Sequence, residues 1–441
     1  MIDFKNKKYN VVTYGCQMNV HESEKISGIL QDLGLEPIDK PELADVVVFN
    51  TCCIREGAED RAFSNISALK KCKAKNPNMI IAVCGCMPQQ KEGKYNFSKK
   101  LPFVDIVIGT HNVNMLGAYL SQVAETGNKV HEIVEEPISL VETKNTIRDD
   151  KINAYVNIIY GCNKFCTYCI VPHVRGRERS RPYEDIEAEV KDLVGKGYKY
   201  ITLLGQNVNS YGKDLNNGIN FAMLLTNLCK IEGEFKIKFM TSHPIDFNKD
   251  VIKVMKREPK VAKCLHLPVQ SGNDDILFKM NRHYSIKHYN KLIKATKHSV
   301  KNIALSTDII VGFPGESEKA FEDTVKLLKK VKYDQVFAFM YSKRSGTPAA
   351  LLPNQVDEDI KNKRVNKLLR EQKFISKQML NACVGKTYNC LIVVKNGVTM
   401  GLTDGGREIY LPNDSSKLVN HFVDIKVEDI RNHKLSGVIK C

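Results

Sequence analysis

Eight of the fourteen cysteines in this chain are placed where they could do chemistry. Cys162, Cys166 and Cys169 fall in GCNKFCTYC, with three and then two residues between them. Three thiolates from one tight loop can hold three irons of a 4Fe–4S cluster and leave the fourth open to a ligand that is not protein. Zinc is the runner-up, since His173 could complete a Cys3His site, although a zinc knuckle belongs in a small freestanding module. The second group is scattered: Cys16, Cys52 with Cys53, and Cys84 with Cys86. Cys72, Cys229, Cys264, Cys383 and Cys390 stand alone and read as small buried apolar residues.

The elements around the scattered group suggest how it could converge. NVVTYG (10–15), ADVVVFN (44–50), MIIAVCG (79–85) and VDIVIGT (104–110) are short apolar runs, with helical stretches expected over about 21–33 and 56–75. Short Val/Ile runs alternating with helices predict a parallel sheet covered on both faces. Cys16, Cys52 and Cys86 then fall just past three strand ends, where ligands of such sheets collect. Cys84 lies inside its apolar run, as a core residue would. Residues 126–150, with Pro137 and a charged stretch, read as a linker with one short strand.

From residue 151 the βα rhythm resumes six times. Strands are expected at 154–159, 200–205, 236–240, 264–269, 303–312 and 335–341, and helices over about 183–196, 220–230, 248–257, 286–298 and 318–331. Six such units suit a partial TIM-type (β/α)6 barrel, whose chemistry sits on loops after the strands. Those loops read GCNKFCTYC, QNVNSYG, TSHP, QSGN, FPGES and SKRSGTP, and they are rich in Asn, Gln, Ser and His. A charged helix over about 356–380 follows, and TYNCLIVVKNG, REIYLPND and FVDIKVEDI then predict a small β-barrel. The fold class is therefore α/β: an N-terminal parallel-sheet domain (7–125), a central barrel (148–378) and a C-terminal β-barrel (381–441).

Composition narrows the partners. The chain has 441 residues, 43% hydrophobic and 26% charged, which excludes a disordered, collagen-like or disulfide-miniprotein class. The first residues, MIDFKNKKYNVVTYG, lack an apolar core, and no long apolar run occurs, so a cytoplasmic protein with no membrane contact is expected. The net charge of +16 lies wholly in 151–380, which carries 40 basic and 24 acidic residues. A polyanion would approach that part. Four of only 14 arginines, Arg175, Arg177, Arg179 and Arg181, follow the cysteine loop, where guanidinium forks suit phosphate or carboxylate.

The cysteine loop after the first barrel strand resembles the radical S-adenosylmethionine superfamily. There the open iron chelates S-adenosylmethionine, and electron transfer releases a 5′-deoxyadenosyl radical. TYGCQMN (13–19), NTCCIRE (50–56), CGCMPQQKEG (84–93), GCNKFCTYCIVP (161–172), LLGQNVNSYG (203–212), LPVQSGN (267–273), DIIVGFPGE (308–316) and YSKRSGTPA (341–349) together resemble its methylthiotransferase branch over nearly the whole chain. The resemblance implies two 4Fe–4S clusters, one on Cys162, Cys166 and Cys169 and an auxiliary one on Cys16, Cys52 and Cys86. It implies that Gly205, Gln206 and Asn207 meet the methionine amino group, that Ser242, Gln270 and Ser271 line the ribose, and that Gly312 and Phe313 flank the adenine. One of the four arginines is expected to meet S-adenosylmethionine or a tRNA phosphate, and His173 to belong to the loop and not to a metal.

Within the branch the motifs are most similar to enzymes that add a methylthio group to C2 of N6-isopentenyladenosine beside the tRNA anticodon. N6-threonylcarbamoyladenosine and a ribosomal-protein aspartate are the sibling substrates. A non-catalytic metal-containing RNA-binding protein is the reading from another class. The C-terminal barrel resembles the TRAM domain, which contacts tRNA. The implied partners are a tRNA anticodon stem-loop, a low-potential electron donor and iron–sulfur or sulfur supply proteins, acting on a monomer. No general base is assigned, because the C2–H bond is neither acidic nor electrophilic enough for acid–base chemistry.

Overall fold

The computed structural model describes residues 4–53, 56–91, 97–136, 145–395, 397–411, 415–431 and 434–440. Pro137, Ile54 and Arg55 of NTCCIRE, Glu92 and Gly93 of CGCMPQQKEG, and Pro412 to Asp414 of REIYLPND lie outside them. The chain divides into two compact units. The first comprises Met1–Lys151, Ile159–Arg181 and Ser342–Leu351, and the second Ile152–Ile158, Pro182–Tyr341 and Leu352–Cys441.

The first unit is built on a six-stranded sheet in the order Glu36–Pro37, Lys8–Thr13, Val46–Thr51, Ile80–Gly85, Ile106–Ile108, Val130–Glu132. Every pairing is parallel. Val46–Thr51 and Ile80–Gly85 are buried at all six positions, as central strands covered on both faces must be. Even numbers along them (Val46, Val48, Ile80, Ala82, Cys84) pack into one core, while Val47, Phe49, Ile81 and Val83 pack into the other. Register pairs Thr13 with Asn50 and Thr51 with Gly85, so three strands end along one edge. The stretch expected as a linker begins with the sixth strand, Val130–Glu132, and resumes against the helix Gln17–Asp32, where Ile147 N–H donates to Glu24 O. Gly28 on that helix has no room for a Cβ, which would stand 2.1 Å from the Asn145 carbonyl oxygen.

The second unit holds two three-stranded parallel sheets. Lys236–Phe239, Tyr200–Leu204 and Asn153–Asn157 form one, and Cys264–His266, Ala304–Val311 and Gln335–Met340 the other. An isolated parallel bridge pairs Ile237 of the first sheet with Val261, three residues before Cys264–His266. All six expected strands are present, and the helices Tyr183–Gly195, Phe221–Leu228, Lys249–Arg257, Ile286–Ser299 and Glu318–Val331 separate them as the spacing predicts. Four of these helices begin at a side-chain cap: Asn220, Asn248, Ser285 and Ser317 each accept from a first-turn N–H.

The long helix Glu358–Asn381 leads to a closed barrel of Thr387–Lys395, Val398–Thr403, Glu408–Tyr410, Lys434–Ile439 and Phe422–Arg431. Within this unit the barrel is fastened by Asp404, whose carboxylate accepts from Tyr200 Oη (3.2 Å), Lys236 Nζ (2.8 Å) and the Lys263 backbone N–H (2.8 Å). Gly405 allows this approach, since a Cβ there would stand 2.3 Å from Ala304 Cβ. Among the described residues no helix is long and apolar enough to cross a membrane.

Candidate functional site

Cys16 follows the strand Lys8–Thr13 and occupies the N-cap of Gln17–Asp32, where unpaired backbone N–H groups favour a negative ligand. Cys52 directly follows Val46–Thr51, and Cys86 directly follows Ile80–Gly85. The turns carrying them are pressed together. Gly15, at φ +121°, lies so close to Cys52 that a Cβ on it would stand 2.6 Å from Cys52 Cβ and 2.9 Å from its sulfur. Cys86 N–H donates to Thr51 O at 3.0 Å. Asn19 ties two of the turns, its Nδ2 donating to Tyr14 O (2.7 Å) and Thr51 O (3.0 Å). Asn50 Nδ2 in turn donates to Asn19 O and to Ser23 Oγ, both at 2.9 Å.

The two extra thiols behave differently. Cys84 is fully buried in the core on the opposite face of the sheet, where burial pushes its thiol up. Cys53 lies on the same face as Cys86 and is hydrogen-bonded to it. That bond, followed by the charge of Arg175, holds the Cys86 thiol down at about 6, while Cys53, the partner that keeps its proton, is pushed well up.

The second set is local. Cys162, Cys166 and Cys169 come from one loop, with Cys162 and Cys166 buried. Cys162 N–H donates to Gly176 O at 3.1 Å, and Cys169 N–H to Cys166 O at 2.9 Å, so the backbone closes on itself around the thiols. Burial pushes the Cys162 thiol up to about 12. Gly161, at φ +75°, has the Arg177 carbonyl oxygen 2.0 Å from where a Cβ would stand. Ala349 N–H, from YSKRSGTPA, donates to Thr167 O inside the loop. Arg344 of the same motif forms a buried ion pair with Glu59 at 2.6 Å.

Among the described residues no group of three or more His, Cys, Asp or Glu side chains is disposed to hold a single metal ion. A mononuclear zinc site completed by His173 therefore has no geometric support, and His173 instead stands edge-on to Phe165. A cluster asks for a different arrangement, because each thiolate binds its own iron and the ligands stand further apart than around one ion.

In the second unit the expected cosubstrate residues sit at strand ends. Asn207 Oδ1, Ser242 Oγ and Gln270 Oε1 are buried with no hydrogen-bond partner among the described residues. Orphaned polar atoms of this kind are rare and point to a polar ligand. Thr241 (φ 68°) and Gln270 (φ 69°) hold left-handed backbone conformations at these ends, a strain that functional loops retain. Gly205 is buried and Gln206 partly exposed. Ser271 is committed to the turn, its Oγ accepting from Asn273 N–H at 3.3 Å. Gly312 N–H is taken by the Glu316 carboxylate, and Phe313 is fully buried with its ring 5.4 Å from that of Tyr341. Phe313 is thus packed into the core at this end of the strand.

Sequence reasoning missed Asn209, whose Oδ1 and Nδ2 are both buried and without a partner among the described residues. Its signal was its place in QNVNSYG, two residues beyond Asn207. Of the four arginines, one of which is expected to meet S-adenosylmethionine or a tRNA phosphate, Arg175 turns to the N-terminal thiols. Its Nη2 donates to Asn19 Oδ1 at 2.8 Å and its Nη1 contacts Met18 Sδ at 3.0 Å. Arg177 lies over the Phe165 ring at 4.5 Å, Arg179 Nη2 reaches Arg175 O at 3.4 Å, and Arg181 is buried.

Comparison with known proteins bears directly on these two thiol sets. A protein from Clostridium botulinum (strain Langeland), named tRNA-2-methylthio-N(6)-dimethylallyladenosine synthase, is 48% identical over 98% of this chain and 96% of its own length. A protein of the same name from Caldicellulosiruptor saccharolyticus is 44% identical over 99% of this chain and 93% of its own. The chain belongs to the radical S-adenosylmethionine methylthiotransferase family. A model of the radical SAM superfamily matches residues 156–328, and one described as uncharacterized protein family UPF0004 matches residues 8–109. In this methylthiotransferase the N-terminal thiols thus fall within one matched region and the cysteine loop within the other. Among solved structures, the radical S-adenosylmethionine methyltransferase TsrM from Kitasatospora setae shares the fold, with TM-score 0.56 over 89% of this chain and 79% of its own at 10% identity.

Proposed function

We propose that this methylthiotransferase adds a methylthio group to C2 of N6-isopentenyladenosine (N6-dimethylallyladenosine) beside the tRNA anticodon. The observation that carries the reading is the 48% identity, over 98% of the chain, to an enzyme named for that product. Cys162, Cys166 and Cys169 would hold one 4Fe–4S cluster and Cys16, Cys52 and Cys86 a second. The donor chemistry fits: each set offers three thiols, and each is cradled by a glycine, Gly161 and Gly15, at positive φ where a Cβ would clash. The orphaned atoms of Asn207, Asn209, Ser242 and Gln270 suit the amino, carboxylate and ribose groups of S-adenosylmethionine.

When bound, the clusters and S-adenosylmethionine supply a carbon radical that takes the C2 hydrogen and the methylated sulfur that replaces it. The chain's own residues do simpler work. The strand-end amides and hydroxyls orient a polar ligand, and their burial keeps water from a reactive centre. Backbone hydrogen bonds from Cys162 and Cys169 fix the loop so that its thiols are presented without reorganisation. No side chain needs to act as general base.

The same reading takes the two parallel sheets as a partial TIM-type barrel and the closed C-terminal barrel as a TRAM domain that meets tRNA, with domains at 7–125, 148–378 and 381–441. It also includes a cytoplasmic monomer served by a low-potential electron donor and by sulfur supply proteins. Net positive charge over 151–380 supports approach of the tRNA to that part.

The test is anaerobic: reconstituted protein, S-adenosylmethionine and dithionite are incubated with tRNA bearing isopentenyladenosine, and digested nucleosides are weighed by mass spectrometry. A gain of one methylthio group on that nucleoside is expected. Formation of 5′-deoxyadenosine with that nucleoside unchanged would move the substrate to a sibling. Neither product, with both clusters intact, would overturn the enzyme reading.

A further inference from the structure

The helix Val171–Arg175 begins two residues after Cys169, yet its last side chain ends among the N-terminal thiols. Its course is fixed at several points inside the first unit. Ile170 and Val174 belong to the same core as Cys53, Cys86 and Met87. Thr110 Oγ1 donates to Val174 O. Arg175 itself is only 9% exposed. Burying a guanidinium is costly unless it is both hydrogen-bonded and faced by negative charge.

Both conditions are met at one place. Arg175 donates to Asn19 Oδ1, and Asn19 holds the Tyr14 and Thr51 carbonyls that precede Cys16 and Cys52. Cys86 N–H donates to the same Thr51 carbonyl, so the third turn joins the other two at the atom Asn19 holds. The Arg175 charge faces Cys86, Cys16 and Cys52, together with Glu22. One guanidinium therefore bears on all three thiol-bearing turns through Asn19, two by the amide's own bonds and the third at the shared Thr51 carbonyl.

We infer that Arg175 is a positioning residue for the N-terminal cluster. It holds Cys16, Cys52 and Cys86 in mutual register, and its positive charge favours the more negative, reduced state of the cluster they carry. Hydrogen bonds to cluster sulfurs and net charge nearby are established levers on cluster potential. This inference rests on the reading above that both thiol sets bind clusters. Because Arg175 lies six residues from Cys169, it also makes the cysteine loop part of the scaffold of the other site.

The experiment uses the full chain carrying Cys162→Ala, Cys166→Ala and Cys169→Ala, so that only the N-terminal cluster forms. Iron is counted after anaerobic reconstitution, and the potential is read by an EPR-monitored titration with dithionite. Adding Arg175→Met should shift the potential to more negative values and lower iron retention. Arg175→Lys restores the charge but not the planar fork, so it should recover most of the potential and only part of the iron. If Arg175→Met strips the iron while Arg175→Lys keeps part of it near the parent potential, the positioning role stands. Full iron with the parent potential in both variants overturns it. A parent that binds no iron brings down the cluster assignment first, and this inference with it.

Discussion

The two thiol sets reach similar chemistry by opposite routes. The cysteine loop gathers three thiols from eight consecutive residues and closes them with its own backbone hydrogen bonds. The N-terminal set takes its thiols from three strand ends, and nothing local brings them together. Sheet register, the Asn19 amide and the Arg175 guanidinium do so instead. A local site depends on a few backbone angles, whereas a dispersed one depends on the whole sheet being folded.

The largest test of this contrast removes one thiol from each set. Cys166→Ala and Cys86→Ala should each lose about four irons per chain, the content of one cluster. Cys166→Ala should abolish 5′-deoxyadenosine formation, while Cys86→Ala should retain it and form no methylthio product, read by chromatography of the reaction mixture. Next in size is the Arg344–Glu59 pair, which fastens the late segment to the helix after Cys52. Glu59→Ala strands a buried guanidinium and should cost about 3–5 kcal/mol in urea unfolding.

A matched pair of glycines sharpens the comparison further. Gly15→Ala and Gly161→Ala each force a left-handed backbone and a clash, at about 1–3 kcal/mol. Gly15→Ala should lose the N-terminal iron alone, and Gly161→Ala the loop iron alone, as judged by Mössbauer counting. Equal loss at both sites in either variant would show that the sets are not independent.

Two smaller effects follow. Burial, then the charges of Arg179 and Arg175, hold His111 down at about 4, below its ordinary 6.5. A histidine so depressed contributes stability above pH 6.5 that is lost as pH falls toward 4. After allowance for partial exposure the loss should be about 1–2 kcal/mol, and His111→Gln should flatten it in a pH series of melting curves. Cys84→Ala removes a core sulfur on the far face of the sheet, so it should cost about 1 kcal/mol and leave both irons' worth of clusters intact by iron assay.

The same contrast governs what could be read from the sequence. GCNKFCTYC announces its chemistry because ligand spacing is local, and the Val/Ile runs announce parallel strands because both faces are covered. Cys86 could be preferred to Cys84 from its place past a strand end, and the sheet puts the two on opposite sides. The target of Arg175 could not be read, because its partners stand about 150 residues earlier and no local pattern encodes them. Val398–Thr403 and Lys434–Ile439 escaped notice as well: glycines and lysines break their alternation, and only barrel closure completes their pairing. Gly312 and Phe313 are expected beside the adenine from the resemblance alone, and what the structure adds is that the Phe313 ring packs edge-on against Tyr341.

Asp404 has a consequence for the order in which the chain folds. Its partners Tyr200, Lys236 and Lys263 precede it by 204, 168 and 141 residues. Until the ribosome has made that turn, the Lys236 ammonium lacks the carboxylate it meets in the finished fold. Loop closure over such separations is slow to be rewarded. The first unit's sheet can settle early on the nascent chain, while Tyr200–Leu204 and Lys236–Phe239 wait for the C-terminal barrel to arrive and lock them.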